Sequence, residues 1–523
     1  MGVYRSAIRI VLAGALHALL VCGPVRAQDV TLTSRDGSVE ITGTLLGYDG
    51  EFYRVDSEFG VLTLDGSGVV CQGPGCPDLD TFVAEIDISG SRVMGRRLLP
   101  ELIARFAQRE DYTFAREDSD TGTITIRLSG RKTGRAAARF TIFPGSSSEG
   151  FADLLAERAD MVLSRRPVSP VEVSRGIDAG LGRFTAPGRA RVIALDALVP
   201  IVSPRNSVQQ ISLGDLARVY AGRITSWKAL GGIDAPIDLY LPQAQSALSS
   251  VFADRVMTPE GLALSPGVRR FPDTASLAKA VAANPFAIGM TTFSEVGATR
   301  LLTLTGGCGF RASVTPETLK SEDYPLGVPL FLYLRGGRLP AVGREFVRFL
   351  DTPAAQIAIL RAGFVDQALS RTPVSRQGVR LANAIRAAGE EVKLDELKRL
   401  VTAMDGARRL SVTFRFERGA TTLNAQSRSN VALLAHSLER RTLGARELTF
   451  VGFSDGIGPA QANRKLSRQR ANAVRAAVLR AATTLDPDSV TLKVDGFGEA
   501  MPMACDDTGW GREINRRVEV WVR

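Results

Sequence analysis

The sequence predicts a multidomain protein with a small N-terminal β module, a larger α/β region and a C-terminal α+β domain. The chain has 523 residues, which is enough for roughly two to four domains. Apolar and polar residues alternate with the period of strands up to about residue 80, and strand-like and helix-like segments take turns from there to about residue 367. A second, shorter alternation of strands and helices begins near Leu410.

The N-terminus has the layout of a secretory signal peptide, expected to occupy residues 1–27. Arg5 and Arg9 precede an apolar run at residues 10–21, and Ala27 closes a small-residue cleavage site. The run is too short to span a bilayer comfortably. The competing interpretation is a lipoprotein acylated on Cys22. Both interpretations predict an exported protein.

The composition limits the classes of partner. The formal net charge is +10 and the isoelectric point is near 9.6. In an exported chain such a charge meets anionic wall polymers and lipid headgroups, and no nucleic-acid partner is expected. A solvated basic surface without any specific partner is an equally good interpretation of the charge alone.

The cysteines allow one clear disulfide prediction. Cys71 and Cys76 flank the turn sequence Gln-Gly-Pro-Gly, which lets them pair in an oxidising compartment. Cys308 and Cys505 are far apart in sequence, and they either pair with each other or stay free. Cys22 is expected to leave with the signal peptide.

The scarcity of histidine argues against several kinds of catalysis. Outside the signal peptide the chain has one histidine, His436, in an apolar helical stretch where a structural role is expected. We therefore expect no histidine-based metal site, no nucleophile triad and no cofactor, and we predict that the protein is not an enzyme. Paired carboxylates of a wall hydrolase are the alternative that the sequence leaves open.

Residues 28–80 are predicted to form a small β-barrel or meander. Short runs of alternating residues are separated by turns rich in Asp and Gly. The expected strands cover residues 30–32, 38–41, 52–55 and 60–64.

Residues 81–367 are predicted to have an α/β architecture, because strands and amphipathic helices alternate. Ser212 opens one of these helices with a capping-box pattern. The other elements expected here are strands at residues 86–88, 123–128 and 160–163 and helices at residues 98–106 and 151–157.

The C-terminal part begins with a charged stretch, residues 368–408, which is predicted to be a helical linker. Residues 409–523 then follow the order strand, helix, strand, helix, strand, strand. The expected strands are residues 410–416, 447–451, 490–494 and 517–522, and the expected helices are residues 425–438 and 463–482.

One charge stands on an apolar helix face. At about 100° per residue, Leu466, Val474 and Val478 share an arc with Arg470. A buried charge needs a partner or a bound anion. The alternative is that the stem of Arg470 packs while its guanidinium reaches water.

The order of motifs from about residue 410 to the end resembles the OmpA C-terminal peptidoglycan-binding domain. The residues that carry the resemblance are Gly452-Phe453-Ser454-Asp455, Asn463, Leu466-Ser467, Arg470-Ala471, Gly496-Phe497-Gly498-Glu499 and Asn515-Arg516-Arg517-Val518-Glu519.

This resemblance implies a site for the diaminopimelate of the wall's stem peptide. Asp455 would take the ammonium group and Arg470 the carboxylate, each through a charge-assisted contact. Asn463 and Arg516 would line the same pocket. The family often has His where this chain has Phe453.

Residues from about 84 to 367 resemble the phosphate-type (PstS-like) periplasmic binding proteins of ABC transporters. The resemblance implies a two-lobed α/β fold of type II with a ligand cleft between the lobes. It is carried by Gly90-Ser91, Gly95, Pro100, Pro144-Gly145-Ser146-Ser147, Ala159-Asp160, Ser164-Arg165, residues 215–222 with Trp227, Leu230 and Gly231-Gly232, and Ala287-Ile288-Gly289.

Short Gly/Ser turns before helices favour anions, because they present backbone N–H groups and hydroxyls at helix N-termini. Ordinary helix caps and loops are the alternative interpretation of such turns. The expected ligand-binding residues are Gly90, Ser91, Ser146, Ser147, Ser164, Arg165 and Ser246.

The cleft departs from the family pattern in its second lobe. Ser246-Ala247-Leu248 replaces the usual Ser-Gly-Thr, Gln243 and Gln245 lie where an arginine is expected, and Val93 stands where threonine is frequent. We therefore expect a small anion, phosphate or a related one, to bind more weakly than in a dedicated phosphate scavenger.

Together these features predict a non-enzymatic periplasmic binding protein of a Gram-negative-type envelope, attached to the cell wall near the outer membrane. Peptidoglycan and a small anion are the expected partners. The alternative is a structural envelope protein whose lobes bind no ligand and serve as an interaction platform for another envelope protein.

Overall fold

The structure is a computed structural model that describes residues 29–79, 81–306, 308, 310–387, 391–417, 422–444 and 446–523. The predicted signal peptide, with Cys22, lies outside these residues. None of the described helices is both long enough and apolar enough to cross a membrane.

The N-terminal module is one antiparallel sheet, in which the first four strands form the predicted meander and the fifth pairs back onto the first. Val30, Leu32 and Val55 fill its small core. Cys71 and Cys76 form a disulfide at the end of the last strand. The strands are β1 (Asp29–Ser34), β2 (Glu40–Tyr48), β3 (Phe52–Ser57), β4 (Gly60–Asp65) and β5 (Val69–Gln72).

The first lobe of the α/β region contains the start and the end of that region. Its strands before the crossover are β6 (Ala84–Ser91), β7 (Tyr112–Asp118), β8 (Ile124–Gly130), β9 (Ala136–Gly145) and β10 (Met161–Ser164). Its helices there are α1 (Leu99–Arg109), α2 (Ser147–Leu155) and α3 (Pro170–Asp178).

A long strand, β11 (Ala190–Val202), carries the chain from the first lobe into the second. The second lobe has strands β12 (Gln210–Ser212), β13 (Asp238–Pro242), β14 (Arg269–Phe271), β15 (Ala287–Thr292), β16 (Arg300–Leu301), β17 (Thr303–Thr305) and β18 (Arg311–Ala312). Its helices are α4 (Leu213–Tyr220), α5 (Ala247–Phe252), α6 (Thr274–Ala283) and α7 (Pro316–Lys320).

The chain returns to the first lobe through β19 (Gly327–Leu334), α8 (Ala341–Phe349) and α9 (Pro353–Arg361). The first half of β11 pairs with β19 and the second half with β15, so β11 belongs to both lobes. The sheet order is β11-β19-β10-β6-β9-β8-β7 in the first lobe and β14-β13-β15-β11 in the second. The predicted type II, two-lobed fold is therefore confirmed, and β11 is one of its two crossings.

The C-terminal domain is a five-stranded sheet in the order β20-β21-β24-β22-β23. Its strands are β20 (Arg371–Pro373), β21 (Arg408–Arg415), β22 (Glu447–Phe453), β23 (Thr491–Gly496) and β24 (Arg517–Val522). Its helices are α10 (Gly378–Ala387), α11 (Leu394–Met404), α12 (Ala425–Glu439), α13 (Ala460–Ala481) and α14 (Gly509–Asn515).

The segment expected to be a connecting linker is integrated into this domain. Strand β20 adds to the sheet beside β21. Leu400 and Met404 of α11 pack with Phe453 and Trp521 on one face of the sheet, while α12 and α13 cover the other face. Helices therefore cover both faces of this sheet, and part of the segment expected to be a linker supplies one of the two layers.

The α/β region and the C-terminal domain are joined by a disulfide and by buried ion pairs. Cys308 and Cys505 are bonded across the boundary. The guanidinium of Arg409 donates to both carboxylate oxygens of Asp323, at 2.5 and 3.0 Å. Arg415 donates to the backbone oxygen of Glu322 at 2.8 Å. These contacts fix the two units against each other.

Candidate functional site

The first candidate site lies where β22 and β23 end, beside helix α13. The two strands are parallel, so their carboxyl ends meet at one edge of the sheet. Gly452 and Gly496 let α13 approach closely: a Cβ on Gly452 would stand 1.9 Å from the backbone oxygen of Ser467. Ser467 also accepts a hydrogen bond from the N–H of Gly498 at 3.0 Å. Gly452, Gly496 and Ser467, which carry part of the family resemblance, thus hold α13 against the strands.

Asp455 and Arg516 form a direct pair at this edge. Arg516 Nη1 donates to Asp455 Oδ2 at 2.7 Å, and the Asp455 carboxylate is mostly buried. The other carboxylate oxygen accepts only a long contact, 3.4 Å, from the N–H of Ile457 among the contacts of the described residues.

Arg470 lies beside this pair. Its Nε and Nη1 are buried and unpaired among the described residues, and its guanidinium lies 5.4 Å from the ring centroid of Phe416. Burial lowers the pKa of Arg470, and the nearby Arg516 adds to the effect while Asp455 opposes it. Two cations therefore lie near the Asp455 carboxylate, and among the described contacts it is Arg516 that bonds to it.

Asn463 belongs to the same edge but bonds to a different acid. Its amide donates to Glu499 Oε2 at 2.6 Å and to the oxygen of Gly458 at 3.2 Å. Burial raises the pKa of Glu499, and the carboxylates of Glu391, Asp506 and Asp455 raise it further. The structure thus brings Asp455, Arg470, Arg516 and Asn463 into one neighbourhood and adds Glu499 as a second acid.

The second candidate site is the cleft of the α/β region, where Gly90 and Ser91 end β6. Gly90 has a φ of +120°, and a Cβ there would stand 2.2 Å from the oxygen of Leu163. Strand packing accounts for this glycine without a ligand. Ser91 is buried.

Ser146 is engaged as the N-cap of α2. Its hydroxyl accepts from the N–H of Glu149 at 3.1 Å, and its own N–H donates to Glu149 Oε2 at 2.6 Å. These two bonds form a capping box, so Ser146 fits the alternative interpretation of an ordinary helix cap. The carboxylate of Glu149 also opposes an anion at this helix end.

Ser147, Ser164 and Arg165 do lie together. The N–H of Arg165 donates to Ser147 Oγ at 3.1 Å, and Ser164 Oγ donates to the oxygen of Arg166 at 2.7 Å. In the second lobe, Ser246 caps α5 and accepts from the N–H of Ser249 at 3.2 Å, so its hydroxyl also has a structural use.

Arg165 faces an acid that sequence reasoning missed. Its Nη2 lies 3.5 Å from Asp196 Oδ2 and has no hydrogen-bond partner among the described residues. Asp196 lies on β11 and accepts from the Ser294 hydroxyl at 2.7 Å and the Ser294 N–H at 3.0 Å. Burial raises the pKa of Asp196, whereas Arg165 and Ser294 lower it. The sequence feature that could have identified Asp196 is the presence of an acid inside the apolar run of β11.

Two family models match the chain. The PBP superfamily domain matches residues 131–352, and the OmpA family matches residues 415–516. The first match covers the second lobe and the part of the first lobe from β9 onward, without β6, and the second covers the edge that holds Asp455 and Arg470.

Curated relatives fall into the same two groups. The phosphate-binding protein PstS of Staphylococcus haemolyticus is 25% identical over 244 residues, which is 45% of this chain and 74% of the relative. Outer membrane porin F of Pseudomonas fluorescens is 37% identical over 78 residues, 15% of this chain and 23% of the relative. The probable lipoprotein YiaD of Escherichia coli is 36% identical over 70 residues, 13% of this chain and 30% of the relative. The chain thus spans less than a third of these two envelope proteins.

Among solved structures, an ABC-type phosphate transport receptor from Vibrio cholerae is 19% identical, with a TM-score of 0.40, and the match covers 54% of this chain and 99% of that one. The two family matches and the relatives agree with the two units that the structure describes. The chain therefore contains a domain of the PBP superfamily, similar to PstS proteins, and a C-terminal domain of the OmpA family.

Proposed function

We propose that the protein is a binding protein held on the cell wall, and that Asp455, Arg470, Arg516 and Asn463 bind the diaminopimelate of a peptidoglycan stem peptide. The single observation that supports this most is Arg470, whose buried Nε and Nη1 have no hydrogen-bond partner among the described residues. A ligand carboxylate would supply the missing acceptors, and a carboxylate of the site would take the ligand's ammonium group.

The direct test is sedimentation of the full chain, purified from a periplasm, with diaminopimelate-containing peptidoglycan. Asp455→Ala and Arg470→Ala should each lose most of the binding. Each change removes one side of a buried charged contact, which typically costs about 2–5 kcal/mol.

The matched control is Arg468→Ala, which removes the same charge from an exposed position of α13. If binding came from the net positive charge of the chain, Arg468→Ala and Arg470→Ala would weaken it equally. That result, or full binding by the Asp455 and Arg470 variants, would refute the assignment.

We further propose that the cleft between the lobes binds a small oxyanion weakly. Arg165 has a buried Nη2 that no group of the described residues pairs with, and an oxyanion could engage it. Asp196 competes for the same guanidinium, and Ser146 and Ser246 are occupied as helix caps. A strong site would need more free donors, because each lost hydrogen bond to a charged group costs about 1.5–3 kcal/mol.

Calorimetry of the full chain with phosphate, sulfate and small carboxylates tests this proposal. Binding should be weak, and Arg165→Ala should abolish it. Asp196→Asn should strengthen binding of a fully ionised anion such as sulfate, because it removes the competing negative charge. If no anion binds at millimolar concentration and Asp196→Asn changes nothing, the interaction-platform alternative is preferred.

A further inference from the structure

The chain passes between the two lobes at two crossings, and the C-terminal domain contacts both of them. The first crossing is β11. The second is formed by residues 321–326, which connect α7 of the second lobe to β19 of the first. The Tyr324 hydroxyl donates to the oxygen of Leu198 on β11 at 3.3 Å, so the crossings also touch each other. Two-lobed binding domains close by bending at such crossings, and contacts made there therefore control whether the lobes can move.

The second crossing is held by three side chains of the C-terminal domain. Arg409 donates to both carboxylate oxygens of Asp323. Arg415 donates to the backbone oxygen of Glu322 at 2.8 Å, and Asn430 Nδ2 donates to Glu322 Oε1 at 3.2 Å. Glu322 has a left-handed φ of 55°, which a residue other than glycine keeps only where its surroundings impose it. The C-terminal domain thus helps to fix the backbone of the second crossing.

The first crossing is held by the residue next to Asn430 on α12. Ser429 Oγ accepts a hydrogen bond from the N–H of Val192 at 2.9 Å. Val192 lies at an irregularity of β11, where the register with β19 shifts between Val192 and Ala194. A strand N–H at such a shift needs an acceptor outside the ladder, and Ser429 provides it. One turn of α12 therefore contacts both crossings.

The same domain is also fastened to the second lobe. Arg415, which is buried, donates to the oxygen of Ile514 at 2.6 Å as well as to Glu322, so its guanidinium connects the second crossing to the body of the C-terminal domain. The Cys308–Cys505 disulfide attaches that domain to the second lobe. A change in the angle between the lobes would therefore have to break buried polar contacts, which are costly to leave unmade.

We infer that the C-terminal domain braces the hinge of the two-lobed region, so that the lobes keep one fixed angle and do not close around a solute. The inference does not depend on which ligands the wall site and the cleft bind. A solute that enters the braced cleft leaves the outer shape of the lobes unchanged. The four side chains that make these contacts, here called the brace, are Arg409, Arg415, Ser429 and Asn430.

A direct contact between the lobes is the competing explanation for a fixed angle. Arg97 of the first lobe donates to the oxygen of Ser294 and to Glu295 Oε1 in the second lobe, both at 3.3 Å. Arg97 is exposed, and exposed ion pairs contribute little to stability. A test of the brace must nevertheless include this contact as a separate variant.

The test is the distance between two nitroxide spin labels on the full, disulfide-bonded chain, measured by pulsed electron spin resonance. The labels are attached to Ser174→Cys on α3 of the first lobe and Lys279→Cys on α6 of the second, both at exposed positions. Cys71, Cys76, Cys308 and Cys505 are bonded in pairs and do not take the label. The labelled chain should give one narrow distance distribution, with or without millimolar phosphate.

Loss of the brace should move part of the population to a second distance. The double variant Ser429→Ala, Asn430→Ala removes the contacts of α12 with both crossings, and Asp323→Asn separately weakens the contact with Arg409. The matched control is Ser437→Ala, whose hydroxyl donates to the oxygen of Leu433 within α12; it should keep the narrow distribution, as should Arg97→Ala.

Several results would overturn the inference. Two distances in the labelled chain without further changes, or a distance that shifts when phosphate is added, would show that the hinge moves freely. A narrow distribution in both brace variants, with their folding verified by circular dichroism, would show that these contacts do not hold the lobes. A second distance in Arg97→Ala alone would assign the fixed angle to the direct contact between the lobes.

Discussion

Glu322 and Asp323 are neighbours in sequence, yet burial affects them in opposite ways. Asp323 is held between the donors of Arg409, and these lower its pKa against the effect of burial. Glu322, with a left-handed φ of 55°, has Arg415 at 3.5 Å, and burial raises its pKa to about 7 although Arg415 and Arg255 oppose the shift. The boundary between the domains therefore contains an acid that titrates near neutral pH.

This shift predicts how stability changes with pH. Between the ordinary pKa of 4.5 and the folded-state pKa of about 7, the folded chain keeps a proton that the unfolded chain has lost. The free energy of unfolding from this group is therefore greatest below pH 4.5 and falls as pH rises through 7, by about 1.4 kcal/mol per unit of pKa difference. Glu322→Gln, which mimics the protonated acid, should remove this loss.

Urea unfolding at pH 5 and pH 8 checks the prediction. The stability of Glu322→Gln relative to the unmodified chain should rise from pH 5 to pH 8. Glu317→Gln, an exposed change on the neighbouring helix α7, should track the unmodified chain at both values. The same pH response in all three proteins would contradict the assigned shift.

At this scale the sequence predicted that Asp455, Arg470, Arg516 and Asn463 lie together, as they do at the edge of the C-terminal sheet, but it missed Asp196 and Asp506. Asp455, Arg470 and Arg516 could be found because a charge on an apolar helix face and an ordered set of motifs are visible in one dimension. Asp196 meets Arg165 only after β11 crosses between the lobes, and Asp506 joins the edge through a loop contact with Gly456. Neither contact leaves a spacing pattern in the chain.

At the scale of elements, glycines on the strands set the position of α13. Gly452 and Gly496 on adjacent strands both face α13. A Cβ added at Gly452 would come within 3.0 Å of Ser467, and one added at Gly496 would come within 3.0 Å of both Ser467 and Arg468. Arg470 follows within one turn, so the distance between helix and sheet also sets where its guanidinium lies.

Gly452→Ala should therefore destabilise the C-terminal domain by about 1–3 kcal/mol, the usual cost of overpacking. It should also weaken wall binding, because α13 must move outward. Thermal unfolding together with wall sedimentation measures both effects. Gly378→Ala is the control, since a Cβ there meets nothing within 4 Å; equal stability of the two variants would refute the argument.

The type of an element could be predicted from the sequence where its hydrophobic period was clear. The element against which it packs could not. The helices at α12 and α13 and the strands at β21 and β22 lie close to the expected ranges. The short strand β20 and the packing of α11 on the sheet were missed. An amphipathic pattern indicates that a helix buries one face, but it does not indicate against which sheet that face packs.

At the scale of the whole molecule, a disulfide and a buried ion pair join the two large units across their boundary. The Cys308–Cys505 bond spans 197 residues of chain, and in the chain-entropy model closing such a loop contributes on the order of 5 kcal/mol. Arg409 also approaches Glu519 at 3.2 Å, so it connects Asp323 of one unit to the central strand β24 of the other.

Arg409→Met should separate the unfolding of the two units. It leaves Asp323 and Glu519 without a shared cation, and breaking such a buried pair costs about 3–5 kcal/mol. Scanning calorimetry under reducing conditions should show two transitions for this variant. Arg408→Met, at the exposed neighbouring position, should keep the transition of the unmodified chain; two identical traces would contradict the prediction.

The short connection between the units has a consequence for how a solute would be collected. Asp366 is paired with Lys320 in the α/β region at 2.8 Å, and Arg371 already begins β20. The residues between them, 367–370, reach about 14 Å even when fully extended. A protein that ferries cargo from one membrane to another needs a long tether or free diffusion. Once attached to the wall as proposed, this protein would keep its cleft close to the polymer, and a solute would have to reach the cleft there.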